Sequence, residues 1–208
     1  MAVVGIVPAA GRGERLGGEV PKAFAVCAGR PLVEWSLGVL AAVCDRVVVA
    51  VPPGHETGPD RVTGGASRSE SVRLALAAAP EATIAVVHDA ARPFVTRGLV
   101  EACVAAVGDG VDGAVAAARV SDTIKETDEG DRVVRTLDRS RLWAIQTPQV
   151  FVASVLRDAL ERGDLASATD DASLVEAAGG TVRVVEAPPE NFKVTSQIDL
   201  ALAETLLC

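Results

Sequence analysis

The amino-acid sequence predicts an α/β fold, a doubly wound and mostly parallel sheet, and three observations carry that expectation. Short β-branched runs recur along the chain, helix-like segments separate them, and the first run leads into a glycine-rich loop. The runs are Val3 to Val7, Val47 to Val51, Ile84 to Val87, Ala114 to Ala117 and Val182 to Val185. Each is almost continuously apolar, as strands of a parallel sheet covered on both faces must be. The intervening segments predict helices over Leu32 to Ala42, Ser69 to Ala79, Leu99 to Val107, Val152 to Glu161 and Asp171 to Ala178, with a last helix from Gln197 to Leu207. Sheets of this kind bind ligands beyond the carboxyl ends of their strands.

The alternation breaks between residues 119 and 142. Two β-prone runs flank the turn-rich Thr127-Asp-Glu-Gly-Asp131, which predicts a β-hairpin. Much of both its faces is polar, and a two-stranded ribbon is marginal alone, so it needs a surface to pack on. A partner subunit is one candidate, and a decorative surface excursion is the alternative. With 208 residues, 49% of them hydrophobic, and a mean hydropathy of +0.31, the chain suits one domain, 1–208, with the hairpin protruding from it.

Charge narrows the function. Lys and Arg number 20 against 28 Asp and Glu, a net of -8, so the surface as a whole repels a phosphate backbone and nucleic acid is not an expected partner. Cys27, Cys44, Cys103 and Cys208 lie far apart without a C-x-x-C pair, which predicts neither zinc nor disulfides and fits a reducing, cytoplasmic compartment. No apolar run approaches the roughly 18 residues of a membrane span. Among the 20 basic residues only Lys22, Lys125 and Lys193 are lysines. A lysine in so Arg-biased a chain is a candidate for work that needs a compact ammonium, although retention on the surface by chance explains any single one.

Three clusters could carry chemistry. Pro8-Ala-Ala-Gly-Arg-Gly-Glu-Arg-Leu-Gly-Gly-Glu-Val-Pro-Lys22 follows the first strand, and its glycines let backbone N–H groups close on an anion such as a triphosphate. The Walker pattern fails because Lys22 follows Pro21 and precedes Ala23, and the dinucleotide fingerprint fails because Leu16 stands where its third glycine belongs. At the end of the third run, His88-Asp89-Ala-Ala-Arg-Pro93 puts a carboxylate where a metal or polar substrate would sit. Asp89 could equally cap a turn and pair with Arg92, and His88 could be a satisfied core histidine. Asn191-Phe-Lys-Val-Thr195 offers Lys193 as a point charge for a phosphate. Thr147-Pro-Gln149 and Thr169-Asp170-Asp171 read as a turn and a capped helix start, and His55 as a solvent-exposed loop residue without a partner.

In combination and in order, these stretches resemble the methylerythritol phosphate cytidylyltransferase family. The matching residues are Pro8-Ala-Ala-Gly-x-Gly-x-Arg15, Pro21-Lys22, Gly64-Gly65 with Arg68 and Ser71, His88 to Pro93, Asp122-Thr123, Asp138-Arg139, Trp143, Thr147-Pro-Gln149, Thr169-Asp170 and Asn191-x-Lys-Val-Thr195. The resemblance implies a Rossmann-like nucleotidyltransferase that joins CMP from CTP to methylerythritol phosphate in the non-mevalonate isoprenoid pathway, using magnesium or another divalent cation. It implies catalytic roles for Arg15, Lys22, Arg139 and Lys193. It implies substrate contacts for Ala9, Ala10, Gly11, Gly13, Gly65, Arg68, Ser71, Asp89, Arg92 and Thr123, with Asp89 also at the metal. A homodimer is implied, the 119–142 arm carrying Arg139 and Thr123 to a neighbour's site. Ala66, Asp171 and Leu16 depart from residues frequent in relatives and touch none of the four basic positions. A ribitol phosphate cytidylyltransferase and a non-catalytic sugar-nucleotide sensor are the competing readings, and Leu16 disfavours an NAD-dependent oxidoreductase.

Overall fold

The computed structural model describes residues 1–11 and 20–208. In chain order the elements are β1 (Val3–Pro8), a 3-10 turn (Lys22–Phe24), β2 (Val26–Cys27), β3 (Arg30–Pro31), α1 (Leu32–Leu40), β4 (Arg46–Val51), β5 (Arg61–Thr63), α2 (Arg68–Ala77), β6 (Ile84–Val87) and α3 (Arg97–Ala105). They continue with β7 (Gly113–Arg119), β8 (Lys125–Thr127), β9 (Val133–Thr136), a 3-10 turn (Arg139–Arg141), β10 (Trp143–Val152), α4 (Ala153–Arg162), α5 (Asp171–Ala177), β11 (Val182–Glu186) and α6 (Gln197–Leu207). The main sheet has the order β11-β7-β10-β6-β1-β4-β5. Its pairs are parallel except for β10, which runs antiparallel to both β6 and β7.

The side-chain alternation of an extended strand assigns the apolar runs to two layers. In β1, Val4 and Ile6 point into the layer built by Leu76 of α2, Leu156 and Leu160 of α4 and Val175 of α5. Val3 and Val7 point the other way, toward Val33 and Leu40 of α1 and Leu99 and Cys103 of α3. Both faces are covered, so neither set of alternate residues can be polar, and the run reads as continuous hydrophobicity. Local signals then end the elements: Ser67, Thr96, Asp170 and Ser196 each accept a backbone N–H at the start of α2, α3, α5 and α6.

Four strands lie outside the sequence expectations, the two-residue pair β2 and β3 and, in the main sheet, β5 and β10. The short β5 extends the sheet beyond β4. More consequentially, Thr147-Pro-Gln149, expected to be a turn, lies inside the ten-residue β10. Proline in a central strand removes a ladder donor and is tolerated at a bulge, and the register of β10 against β7 does shift between Ile145 and Gln149. The expected hairpin exists but its paired part is short, β8 against β9, since Arg119 belongs to β7 and residues 139–141 form a turn. Every residue of β8 and β9 is exposed, including Val133 and Val134. His55 is corrected too: it is exposed, but its ring lies 5.4 Å from that of Phe24.

Among the described residues Phe151 on β10 is the largest fully buried side chain, packed across Gly113, where a Cβ would come within 2.5 Å of its ring. Phe151→Ala should therefore leave a cavity in the layer beneath α4 and lower the unfolding free energy by about 3–5 kcal/mol. Urea titration followed by circular dichroism measures this.

Candidate active site

The carboxyl ends of β1, β4 and β6 open on one cavity of about 940 Å³. Ala9, Ala10 and Gly11 continue β1 along its wall, Lys22 faces it from the 3-10 turn, and Gly64 to Arg68 with Ser71 line it at the start of α2. Chain approach is close here. A Cβ on Gly64 would fall 2.3 Å from the Cβ of Ala10, and one on Gly65 would fall 2.3 Å from the Cγ of Glu70. The Ser71 hydroxyl accepts the Gly65 N–H at 3.1 Å and donates to the Ser67 carbonyl at 2.9 Å, holding the Gly65 backbone against the helix. The positive end of the α2 dipole is thus directed at the cavity, which suits an anionic ligand.

Asp89 lies at the junction of this cavity with a smaller one of about 300 Å³ lined by Arg92, Gln146, Thr147, Gln149, Thr169 and Asp170. One carboxylate oxygen accepts from Nε of Arg68 at 2.9 Å and the other pairs with Nζ of Lys193 at 2.7 Å. Burial opposes ionisation of Asp89, yet the two cations outweigh it and hold the carboxyl well below the usual range. Arg68 is shared: its Nη1 reaches the fully buried Asp171 at 2.6 Å. Burial pushes the Asp171 carboxyl up, while the two carboxylates overcome the burial of Arg68 and raise its already high pKa. At 2.6 Å and neutral pH the charged pair is the consistent state.

The loop bearing Asp89 is fixed by a directed chain of hydrogen bonds. Nε2 of His88 lies 3.2 Å from the Arg92 carbonyl, which can only accept, so the proton of the neutral ring is on Nε2. Nδ1 is then an acceptor, filled by the Thr147 hydroxyl at 3.0 Å, and that oxygen accepts the Asp89 N–H at 3.0 Å. Arg92 donates to the Asn191 carbonyl at 2.7 Å, and Asn191 Nδ2 donates to Gln146 Oε1 at 2.8 Å and to the Thr147 carbonyl at 2.9 Å. Val194, fully buried against Cys27 and Leu32, anchors the backbone beside Lys193.

The fold therefore brings together Ala9, Ala10, Gly11, Lys22, Gly65, Arg68, Ser71, Asp89 and Lys193, residues drawn from both ends of the chain. Arg92 adjoins the smaller cavity with its guanidinium committed to Asn191. Arg139 and Thr123 sit on the exposed arm, outside both cavities, with Arg139 donating to the Ser121 carbonyl at 2.6 Å. Gly13 and Arg15 lie outside the described residues.

Residues 3–208 match the family model of IspD, 2-C-methyl-D-erythritol 4-phosphate cytidylyltransferase. The chain belongs to this family. It is accordingly a nucleotidyltransferase of the non-mevalonate isoprenoid pathway. A relative so named from Saccharopolyspora erythraea is 44% identical, the alignment covering 100% of both chains. Another, from Nocardia farcinica, is 45% identical over 99% of this chain and 94% of its own. The crystal structure of the cytidylyltransferase from Thermus thermophilus superposes with a TM-score of 0.83 at 39% identity, covering 99% of this chain and 98% of that one. Among the described residues no helix is long and apolar enough to cross a membrane.

Within this cytidylyltransferase fold, sequence reasoning did not assign Thr147, Asn191, Gln149 and Asp171 to the fabric of the site. The last two are linked: Gln149 accepts the Ala172 N–H at 3.2 Å and donates to Asp170 at 2.8 Å, which seats the start of α5 and so places Asp171. A polar residue on a run that proves fully buried is a signal for such a role, because it needs a partner.

Acid titration tests the histidine assignment. Burial brings the His88 pKa down from 6.5 to about 4. Between those values the unfolded chain takes up a proton that the folded protein refuses. The contribution of neutral His88 is complete above about pH 6.5 and declines as the pH falls toward about 4, a loss on the order of 3 kcal/mol. His88→Asn cannot titrate, so its stability should fall less than that of wild type across this interval, as urea titrations at stepped pH would record.

Proposed function

We propose that the protein transfers CMP from CTP to 2-C-methyl-D-erythritol 4-phosphate. A phosphate oxygen of the acceptor attacks the α-phosphorus of CTP, a P–O bond forms there, and the bond to the departing pyrophosphate breaks. The observation that carries this reading is the convergence of Lys22, Lys193 and Asp89 on a cleft roofed by Gly64-Gly65, in a net-acidic chain of the cytidylyltransferase family. Phosphoryl transfer depends on positioning and charge neutralisation more than on proton transfer, and needs no covalent nucleophile. In this scheme Ala9, Ala10, Gly11, Gly13, Gly65 and Ser71 hold the nucleotide, and Arg15 and Lys22 neutralise charge that develops on its phosphates. Lys193, Arg139, Asp89, Arg92 and Thr123 receive the acceptor.

Among the described residues no three His, Cys, Asp or Glu side chains converge to cage a metal, and Asp89 is the carboxylate that lines the main cleft. That donor set fits magnesium, which is bound through one or two carboxylates together with substrate phosphates. Asp89 would hold the ion, and the chemistry supplied is neutralisation of phosphate charge. The whole chain acts as one catalytic unit in this reading, and the unpaired thiols Cys27, Cys44 and Cys103 suit a cytoplasmic setting.

Pyrophosphate release tests the reaction. We expect it with CTP, the methylerythritol phosphate and magnesium together, and not with ribitol 5-phosphate as acceptor or in excess EDTA. Lys22→Ala should lower kcat by about 10³-fold with a small change in KM for CTP, as loss of a charge felt mainly in the transition state does. A normal kcat in that variant would remove Lys22 from the mechanism.

A complete site in this scheme requires two copies, because Arg139 and Thr123 lie on the arm rather than at the cleft. The arm presents Val133 and Val134 to solvent, and a two-fold exchange would cover them while bringing Arg139 to a neighbouring cleft. Lys22→Ala and Arg139→Ala, each nearly inactive, are unfolded and refolded as a mixture to test this. In a crossed heterodimer one site carries both lesions and the other none. About half the dimers are mixed on random assortment, so activity should return to about a quarter of wild type. No recovery from a mixture containing verified heterodimers would exclude the crossed arm.

A further inference from the structure

Asp171 does not line either cavity, yet it is tied to the group at their junction. It is the first residue of α5, is fully buried, and has one oxygen 2.6 Å from Nη1 of Arg68. Its other oxygen has no hydrogen-bond partner among the described residues. Arg68 places its Nε on Asp89 and its Nη1 on Asp171, so one planar guanidinium fixes the distance and relative orientation of two carboxylates. The far oxygen of Asp89 holds Lys193. The cluster is then a linear alternation, Asp171, Arg68, Asp89, Lys193, with two negative and two positive charges.

We infer that Asp171 is a positioning residue for cytidylyl transfer: it anchors Arg68, which turns the Asp89 carboxylate so that Lys193 is directed toward the acceptor. This rests on the proposed function and adds to it a residue that touches no substrate. Without a negative charge at 171, Arg68 keeps a single buried counter-ion, Asp89. The guanidinium is free to rotate onto it with both arms, and the oxygen that Lys193 uses loses its fixed direction. Arg68 is thereby assigned to holding the carboxylates rather than to direct contact with the nucleotide.

The nearly isosteric Asp171→Asn removes the charge and preserves the volume. It should lower kcat/KM for the methylerythritol phosphate by about 10- to 100-fold, as a small displacement of a reacting group does, with KM for CTP within about twofold of wild type. Asp171→Glu, which keeps the charge, should recover most of that loss. Arg68→Lys offers one ammonium where two separate groups of a fork are needed, and should reproduce the acceptor-side defect. A spectroscopic readout needs no turnover. The Arg68 Nε–H, identified in ¹⁵N spectra by its absence from Arg68→Lys, should exchange slowly with water in wild type and faster in Asp171→Asn.

Unchanged acceptor kinetics in Asp171→Asn, or equal losses in the Asn and Glu variants, would overturn the inference. So would a raised KM for CTP with an unchanged kcat in Arg68→Lys, which would make Arg68 a nucleotide ligand. If Asp171→Asn does not fold, Arg68→Lys and Asp171→Glu decide. Wild type inactive on CTP and the acceptor would defeat the proposed function alone, and the Nε–H exchange would still report on Asp171 and Arg68.

Discussion

The site depends on keeping one carboxylate charged where water scarcely reaches. Asp89 is buried, and an isolated ion there would be neutralised by protonation. Two cations from distant parts of the chain prevent this, Arg68 at the start of α2 and Lys193 in the segment before α6. Arg68 then needs a second anion to balance it, and the beginning of α5 supplies Asp171. The packing of α2, α5 and the Asn191 segment around the end of β6 is therefore also the condition for the charge state of the cleft. Removing one member of such a cluster costs more than the pair contributes, because the partner stays behind uncompensated.

Much of the architecture was legible because burial on both faces leaves a coarse signature. The five apolar runs became β1, β4, β6, β7 and β11, and the six expected helices are present with boundaries displaced by a residue or two. Strand β10 was not legible. Its proline contradicts the local rule for a central strand, and the bulge that accommodates Pro148 appears only once β7 is beside it. The candidate site divides in the same way. Asp89 could be singled out because a carboxylate directly after an apolar run is a local pattern, as is a lysine among many arginines. The Arg68 to Asp171 contact spans 103 positions and leaves no periodic trace. Nor does any pattern show that Arg92 spends its guanidinium on a backbone carbonyl, or that His88 is held neutral by the direction of its hydrogen bonds.

The backbone around the cleft is organised by groups that have no part in the chemistry. Thr147 and His88 orient the Asp89 N–H, Asn191 binds the β10 bulge to the segment carrying Lys193, and Gln149 seats α5. All four reach out from the irregular stretch of β10 or bind to it. The interruption that obscures the strand in the sequence thus provides polar side chains in the middle of the sheet, where a regular run of Val and Ala could offer none.

Strand β10 also determines what kind of object the arm is. The arm leaves the sheet from the end of β7 and re-enters it at the beginning of β10, and these two strands are already paired there, Arg119 opposite Trp143 with the guanidinium 4.1 Å above the indole. Beyond that root the pairing is not continuous: residues 120–124 and 137–142 belong to no strand, and β8 with β9 forms a sheet of its own. Only the root of the arm is therefore tied into the central sheet. The position of the root follows from the same two strands that carry the bulge beside the cleft, so a change in how β7 and β10 pair is felt at both.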